Sequence, residues 1–303
     1  MDGVFHPGEL AAQARAGVGS PSSGGIRPFM PDQHRAFFAL LPYLFLATVD
    51  QDGWPVATVL TGEAGFVHSP DPTTLTVAAR PREGEPGREL FHSGQPFGAL
   101  GLDFATRRRN RANGVIAKVG EGGLTLQVLQ SFGNCPQYIQ TRAVEPGPAS
   151  AIPAQAIAFP TPEALAQVAR ADTLFVATVS GPEGGRNGGV DISHRGGLPG
   201  FVKVSGEVLT IPDFRGNRFF NTLGNLVLDP CAALLFVDFE TGDLLHLQGR
   251  AGIDWEAPGV EGVQRQWRLE VERAWRRPAA LPLRWAFGDY SPMSLATAAW
   301  NAA

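Results

Sequence analysis

The sequence predicts a mainly β protein built from two tandem copies of a small β-barrel with short helices. Segments recur at a domain-sized interval: LFLATV at residues 44–49 returns as LFVATV at 174–179, and LGLDFAT at 100–106 returns as LFVDFET at 235–241. An interval of this length indicates tandem duplication rather than a solenoid of short repeats. In addition, 37 glycines and 25 prolines in 303 residues favour a turn-rich β architecture over a helical bundle.

Each copy is predicted to begin with a helix and to continue as strands. Proline followed by an acidic residue is typical of a helix start, and it occurs at residues 31–32 and again at 162–163. The segment 267–275 alternates apolar and charged side chains, as expected for a half-buried strand. The other elements predicted in the second copy are strands at 174–179, 189–195, 200–205, 207–211, 232–239 and 243–254, and a helix within 215–229. Many antiparallel strands with few helices indicate a small barrel.

The repeat divides the chain into four predicted segments. Residues 1–28 contain glycines and serines and are predicted to form an N-terminal arm or a loosely ordered tail. Residues 29–142 form the first barrel. Residues 143–160 are rich in proline and alanine and are predicted to be an extended linker. Residues 161–303 form the second barrel.

Bulk composition excludes several classes of partner. The net charge of −4 gives no overall attraction to nucleic acid or to anionic lipid. The two cysteines, far apart in sequence, indicate neither a disulfide framework nor a zinc site, which fits a reducing compartment. The N-terminus lacks the pattern of a signal peptide, and no apolar stretch reaches membrane-spanning length. We therefore expect a cytoplasmic protein without nucleic-acid or membrane partners.

A polar hairpin in the second copy is the first candidate site. The segment VDISHRGGLPGFVKV at 190–204 begins and ends as a strand, but its centre carries Ser193, His194 and Arg195 followed by two glycines. Ser193 and His194 cannot form a catalytic couple by themselves, because neighbours on a strand point to opposite faces. A hydroxyl, a guanidinium and glycines suit an anion such as phosphate, and a solvated hairpin tip is an equal alternative.

Three further side chains of the second copy fit the same anion site. Asn217, Arg218 and Asn221 lie at the start of the predicted helix, where backbone amides and the helix dipole attract anions. Two or three charge-assisted hydrogen bonds of roughly 1.5–3 kcal/mol each would hold a phosphorylated cofactor. A solvated helix start is the alternative for these residues.

The first copy contains two polar segments that allow more than one interpretation. A possible set of metal ligands is considered with them. The run TRRRNRANG at 106–114 is either a solvated turn or an anion or substrate contact. The segment QSFGNCPQYIQTR at 130–142 combines amide and aromatic side chains, which suit a ring system or an end-of-domain cap equally. Asp191, His194 and His246 match no metal-ligand spacing, so no metal is expected.

These segments resemble the pyridoxamine 5'-phosphate oxidase-related, FMN-binding split-barrel family. The resemblance is carried by the hairpin 190–204, by the segment 209–251 and by GNCPQYIQ at 133–140. In that family a split barrel usually dimerises, and FMN lies in the groove between two barrels. Because the repeat puts both barrels on one chain, the resemblance implies a pseudo-dimer.

The resemblance also implies which residues contact the cofactor. The matching positions are Asp191, Ser193, Arg195, Ile211, Pro212, Asn217, Arg218 and Asn221 in the second barrel and Gln137 and Tyr138 in the first. Asn217 and Arg218 match the pair that holds the phosphate. The first copy lacks the anion-binding helix start, so one FMN per chain is expected.

The function implied is that of an FMN-dependent oxidoreductase that exchanges hydride or electrons with a small-molecule substrate or electron donor. A homodimer of the whole chain is compatible with this resemblance. Two alternatives stay open: a non-catalytic flavin carrier, and a haem-binding split barrel in which His194 or His246 supplies the axial ligand. His194 is the candidate acid or base, with a structural role as its alternative.

Overall fold

The elements of the fold are defined by a computed structural model that describes residues 3–19, 25–256 and 260–297. The helices are α1 (Pro7–Arg15), α2 (Asp32–Ala39), α3 (Pro162–Arg170), α4 (Asn221–Leu228) and α5 (Pro292–Leu295). The strands are β1 (Tyr43–Val49), β2 (Pro55–Thr61), β3 (Val67–Asp71), β4 (Thr74–Val77), β5 (Pro96–Asp103), β6 (Arg108–Gly120), β7 (Gly123–Gly133), β8 (Arg142–Pro146), β9 (Gln155–Ala156), β10 (Thr173–Val179), β11 (Val190–Gly196), β12 (Lys203–Ser205), β13 (Val208–Phe214), β14 (Cys231–Val237), β15 (Leu244–Asp254), β16 (Val263–Arg277) and β17 (Leu283–Phe287). Short 3-10 helices span Arg88–Leu90 and Pro182–Asn187.

The two copies have the same topology. The first sheet runs in the order β2-β1-β5-β6-β7-β4-β3, and the second runs β11-β10-β14-β15-β16-β13-β12. Counted from the first strand of each copy, the two orders are identical. Both copies also carry a β-bulge at the same place, between Asn113 and Gly114 on β6 and between Gln248 and Gly249 on β15. The predicted mainly β fold of two tandem split barrels is therefore confirmed.

Apolar side chains form one core inside each barrel and a third core between the barrels. The third core takes residues from β1, β2 and β5 of the first copy and from β10, β11 and β14 of the second. At its centre the rings of Phe45 and Phe175 stack with 3.6 Å between centroids and 19° between planes. These two residues occupy the same position in LFLATV and LFVATV, so the contact marks the local two-fold relation of the pseudo-dimer.

The N-terminal arm differs from the loosely ordered tail given as one alternative. Residues 7–15 form α1, which packs on α4 of the second copy. Close packing depends on two glycines, because a Cβ on Gly8 would lie 2.1 Å from the carbonyl oxygen of Gly224 and a Cβ on Gly224 would lie 2.7 Å from Cα of Glu9. The glycine- and serine-rich residues 20–24 lie outside the described residues.

The predicted linker and the C-terminal segment are joined by short strand pairings. Strand β8 pairs with β17, and β9 pairs with the long strand β16. The domain limits at residues 28, 142 and 160 stay a prediction. Within the described ranges, every helix is too short or too polar to cross a membrane.

Candidate functional site

A cleft lies where the two barrels meet. Its walls are β11, the segment 213–220 and the start of α4 from the second copy, together with the start of β6 from the first. It encloses about 600 Å³, part of which is open to solvent. We call it the basic cleft, because Arg109, Arg111, Arg195, Arg218 and Arg265 all line it.

Five of the ten residues predicted from the sequence line the basic cleft: Ser193, Arg195, Asn217, Arg218 and Asn221. Asp191 is adjacent to it. Its carboxylate accepts a hydrogen bond of 3.0 Å from Ser193 Oγ, as expected for residues two apart on one face of a strand. These positions combine the donors needed to bind an anion, and their role in binding a cofactor stays a prediction.

The other four predicted residues lie away from the lining of this cleft, as far as the described residues define it. Ile211 is fully buried in the apolar core of the second barrel, and Pro212 is buried next to it. Tyr138 stacks on Phe214, a lining residue, with 5.0 Å between ring centroids. Gln137 is half-buried beside Tyr138. The side chain of Ile211 therefore contributes to packing, and Tyr138 reaches the cleft only through Phe214.

The helix at the cleft begins later than the segment 215–229 that was predicted to contain it. Asn217 and Arg218 lie in the loop before α4, and Arg218 and Phe220 both have a φ of 63°. Asn217 Oδ1 accepts a hydrogen bond of 3.0 Å from the amide of Phe219, which holds this loop. Within the described ranges no side chain caps the N-terminus of α4, and the first residues of this helix line the cleft. Free amides at a helix N-terminus favour an anion.

Two arginines of the first copy complete the site; the sequence singled them out only as part of the run 106–114, with a solvated turn as the alternative to an anion contact. Arg111 on β6 reaches across the barrel interface and pairs with Asp191 at 3.1 Å. The same guanidinium donates to Asn221 Oδ1 at 3.0 Å and to Ser193 Oγ. Arg109 contacts His194 Nδ1 at 3.3 Å. The sequence does contain a signal for this pair. Arg109 and Arg111 are two residues apart, so both side chains lie on one face if the segment 106–114 forms part of a strand.

The basic cleft carries more positive charge than its acidic residues neutralise. Asp213 accepts from Arg265 at 2.6 Å and also pairs with Arg195 at 3.3 Å, so one carboxylate serves two guanidinium groups. Burial, with the repulsion of Arg111 and Arg195, lowers the pKa of Arg109 to about 9. An anion in the cleft would therefore relieve repulsion among these arginines.

Several buried donors at the cleft lack a hydrogen-bond partner among the described residues. They are Nε of Arg111, Nε of Arg195 and Nδ2 of Asn134. A buried donor without a partner costs about 1–3 kcal/mol, more when it is charged. Three such donors around one cleft indicate a place for a ligand rich in acceptor oxygens.

Each candidate histidine has a protein partner at one ring nitrogen. Arg109 can only donate, so His194 Nδ1 accepts from it at 3.3 Å, and the proton of the neutral ring lies on Nε2. Burial and the surrounding arginines hold the pKa of His194 well below its usual range. His246 faces the carboxylate of Glu85 at 3.3 Å. Among the described residues no three histidine, cysteine or acidic side chains form a metal-binding group.

Helix α1 adds an unusual carboxyl group to the edge of the site. Glu9 is only 4% exposed, receives a hydrogen bond from the side chain of Asn221 and accepts another of 2.9 Å from the amide of His6. Burial, with a smaller contribution from Asp191, raises the pKa of Glu9 to about 8. Glu9 is therefore mostly protonated at neutral pH.

Replacing Glu9 with glutamine should remove one source of pH-dependent stability. The unfolded chain loses the Glu9 proton near pH 4.5 and the folded chain near pH 8, so the free energy of unfolding falls as pH rises between them. Relative to the wild type, Glu9→Gln should gain up to about 1.4 kcal/mol per pH unit in this window. Urea denaturation at pH 5, 6, 7 and 8 measures this difference, and a difference that does not change with pH would contradict the assignment.

Fold and site together define a class of protein with two tandem split barrels and a basic cleft between them. No protein-family model matches the chain, and no curated protein matches it significantly.

Similar solved structures include HupZ from group A Streptococcus, which is 16% identical with a TM-score of 0.32 over 40% of this chain and 97% of that one. A HupZ variant is 16% identical with a TM-score of 0.30 over 39% and 98%. A conserved protein of unknown function from Corynebacterium diphtheriae is 13% identical with a TM-score of 0.29 over 42% and 99%. Likenesses at these scores carry no inference about function.

Proposed function

We propose that this protein binds FMN in the groove between its two barrels and acts as an oxidoreductase on a small molecule. The observation that carries the proposal is that three donors of the cleft, Nε of Arg111, Nε of Arg195 and Nδ2 of Asn134, lack a hydrogen-bond partner among the described residues, in a cleft that the start of α4 also lines. A phosphate monoester offers several acceptor oxygens and about two negative charges, which matches these donors. The resemblance of the hairpin 190–204 to FMN-binding split barrels supports the same ligand.

A second space adjoins the basic cleft. This space, of about 680 Å³, lies between β6 and β11 and is lined by Glu9, Asn113 and Asp191. Asn221 lines both spaces, so they adjoin. The four residue-to-residue steps from Asp191 to Arg195 span about 13 Å along β11. We assign the phosphate to the arginine-rich end of this groove and the uncharged ring system to the other end.

The residues that would hold the phosphate are Ser193, Arg195, Arg218 and the first amides of α4, with Arg111 from the other barrel. Bound FMN supplies hydride or single-electron transfer, and the protein contributes orientation and electrostatics. Because Arg111 belongs to the first copy and the other contacts to the second, the site requires both barrels.

The proposal is tested by reconstituting purified protein with FMN, removing free flavin by gel filtration and recording the absorption spectrum. Retained flavin bands at one FMN per chain are expected. A protein that retains no flavin contradicts the proposal, and a Soret band after incubation with haem instead would favour the haem alternative. Bound flavin that nicotinamide nucleotides do not reduce and that does not turn over candidate acceptors would favour the carrier alternative.

Replacing Arg218 with alanine should weaken FMN binding about 10- to 100-fold, because one charge-assisted contact of about 1.5–3 kcal/mol is lost. Arg218 is exposed in the loop before α4, so the midpoint of thermal unfolding should not change. Quenching of flavin fluorescence measures the affinity. Arg215→Ala is the matched control, because Arg215 is also exposed on this loop but does not line the cleft. Equal affinities for the two variants would argue against the phosphate assignment.

A further inference from the structure

Strand register identifies which residue of the first copy corresponds to each residue of the basic cleft. Leu46 on β1 and Val176 on β10 occupy the same place in the repeated motif. Leu46 pairs with Thr58 on β2, and Val176 pairs with Ser193 on β11. Thr58 is therefore the counterpart of Ser193, and both carry a hydroxyl group.

The same comparison applies to β6 and β15. The stacked phenylalanines of β1 and β10 pair with Leu100 on β5 and Leu235 on β14. Leu100 pairs in turn with Arg111, and Leu235 pairs with His246. His246 is therefore the counterpart of Arg111, and each lies on the strand that its barrel contributes to the other barrel's site.

A third pair of counterparts lies at the ends of β7 and β16. Gly133, on β7, pairs with the residue that precedes Arg111 on β6. Arg276, on β16, pairs with the residue that precedes His246 on β15, so the two pairs correspond. The next residues, Asn134 and Arg277, are therefore counterparts, and Asn134 lines the basic cleft. Three residues of the cleft thus correspond to Thr58, His246 and Arg277. We call the place where these three meet the twin position.

The twin position is filled by a carboxylate of the protein. Thr58 Oγ1 donates to Glu85 Oε1 at 2.9 Å, and Arg277 Nη1 donates to Glu85 Oε2 at 2.8 Å. His246 Nε2 lies 3.3 Å from Glu85 Oε1. Burial alone would raise the pKa of Glu85, but His246, Arg277 and Thr58 together lower it to about 2, so the group is ionised.

Glu85 comes from the part of the first copy that replaces α4. It lies between β4 and β5, and in the second copy the connection between the corresponding strands β13 and β14 contains α4. The connection in the second copy therefore presents a helix N-terminus, which favours an anion. The connection in the first copy instead presents an anion, the carboxylate of Glu85.

We propose that Glu85 is an internal substitute for the anionic group of a ligand and closes the twin position to phosphate-bearing molecules. The identity of that ligand in the basic cleft rests on the proposed function. The proposal accounts for one ligand per chain, because the three side chains that would otherwise hold an anion already contact Glu85. It also assigns Arg111, Ser193 and Asn134 as the residues closest to the ligand's anion, since their counterparts hold Glu85.

The test is rescue of a Glu85→Ala variant by a small carboxylate, in protein free of FMN. Acetate restores the missing group, so it should raise the midpoint of thermal unfolding of this variant by about 3 °C more than chloride does at equal ionic strength. Inorganic phosphate should have the same effect. Wild type and Glu83→Ala, which alters a neighbouring exposed acid, both keep Glu85 and should show a smaller difference between acetate and chloride than Glu85→Ala does.

A Glu85→Ala variant that responds to acetate no more than the wild type would overturn the proposal. If this variant does not fold in chloride, it should fold in acetate at equal ionic strength, because acetate supplies the carboxylate that Arg277 lacks. A variant that folds in neither salt is equally contrary. Because FMN is absent, these outcomes do not depend on whether the basic cleft binds flavin.

Discussion

Replacing Phe175 with alanine should lower the free energy of unfolding by about 3–5 kcal/mol. Its ring is fully buried between the barrels, stacks on Phe45 and also contacts His194 edge-on at 5.9 Å. Removal would leave a cavity that the two sheets can fill only by moving relative to each other. Urea denaturation followed by tryptophan fluorescence measures the loss.

Two companion variants make this prediction specific. Phe29 is 42% exposed, so Phe29→Ala makes the same change of side chain at the surface and should alter stability by less than about 1 kcal/mol. Phe45→Ala should resemble Phe175→Ala, and the double variant should lose less than the sum, because the first substitution already removes the stacking contact. A loss for Phe175→Ala no larger than that for Phe29→Ala would show that this contact does not hold the barrels together.

Replacing Arg111 with alanine should have the largest effect on FMN binding, a loss of more than about 100-fold in affinity. The guanidinium is buried, lines the basic cleft and has an Nε without a hydrogen-bond partner among the described residues. The substitution should also lower the free energy of unfolding by about 3–5 kcal/mol, because Asp191 would stay buried without its counter-charge.

A second variant separates the two effects. Replacing both Arg111 and Asp191 with alanine removes the unpaired carboxylate, so much of the lost stability should return. FMN affinity should stay low, because the phosphate still lacks its arginine. Calorimetric titration and urea denaturation on both variants measure the two quantities. If affinity recovers together with stability, Arg111 acts only by holding the fold.

The sequence was sufficient to predict the architecture because the repeat is expressed in local patterns. Apolar alternation and turn residues are read within one strand, and LFLATV and LFVATV relate the two copies directly. The same patterns located Ser193 and Arg195 on one face of a strand. These predictions required no knowledge of which strand lies opposite.

The parts that the sequence did not predict depend on contacts between distant segments. Arg111 binds residues of the other barrel, and only the packing of β6 against β11 selects this partner. Helix α1 has nine residues, too few to be stable alone, and its position depends on the contact between Gly8 and Gly224. The apolar residues of the segment 215–229 have helical spacing, so the sequence predicted a helix there and not the loop at Arg218. No local sequence signal indicates the positive φ of Arg218.

Because both barrels belong to one chain, substitutions can alter one barrel without altering the other. In a symmetric dimer of identical subunits, every substitution occurs twice, so an arginine needed at one site would also stand at the other. Here Arg111 and His246 occupy corresponding positions on separate codons, and each can be altered alone. One half could therefore acquire its own carboxylate at Glu85 while the other kept its arginines. The covalent link also makes assembly of the groove independent of protein concentration, so ligand affinity should not fall on dilution.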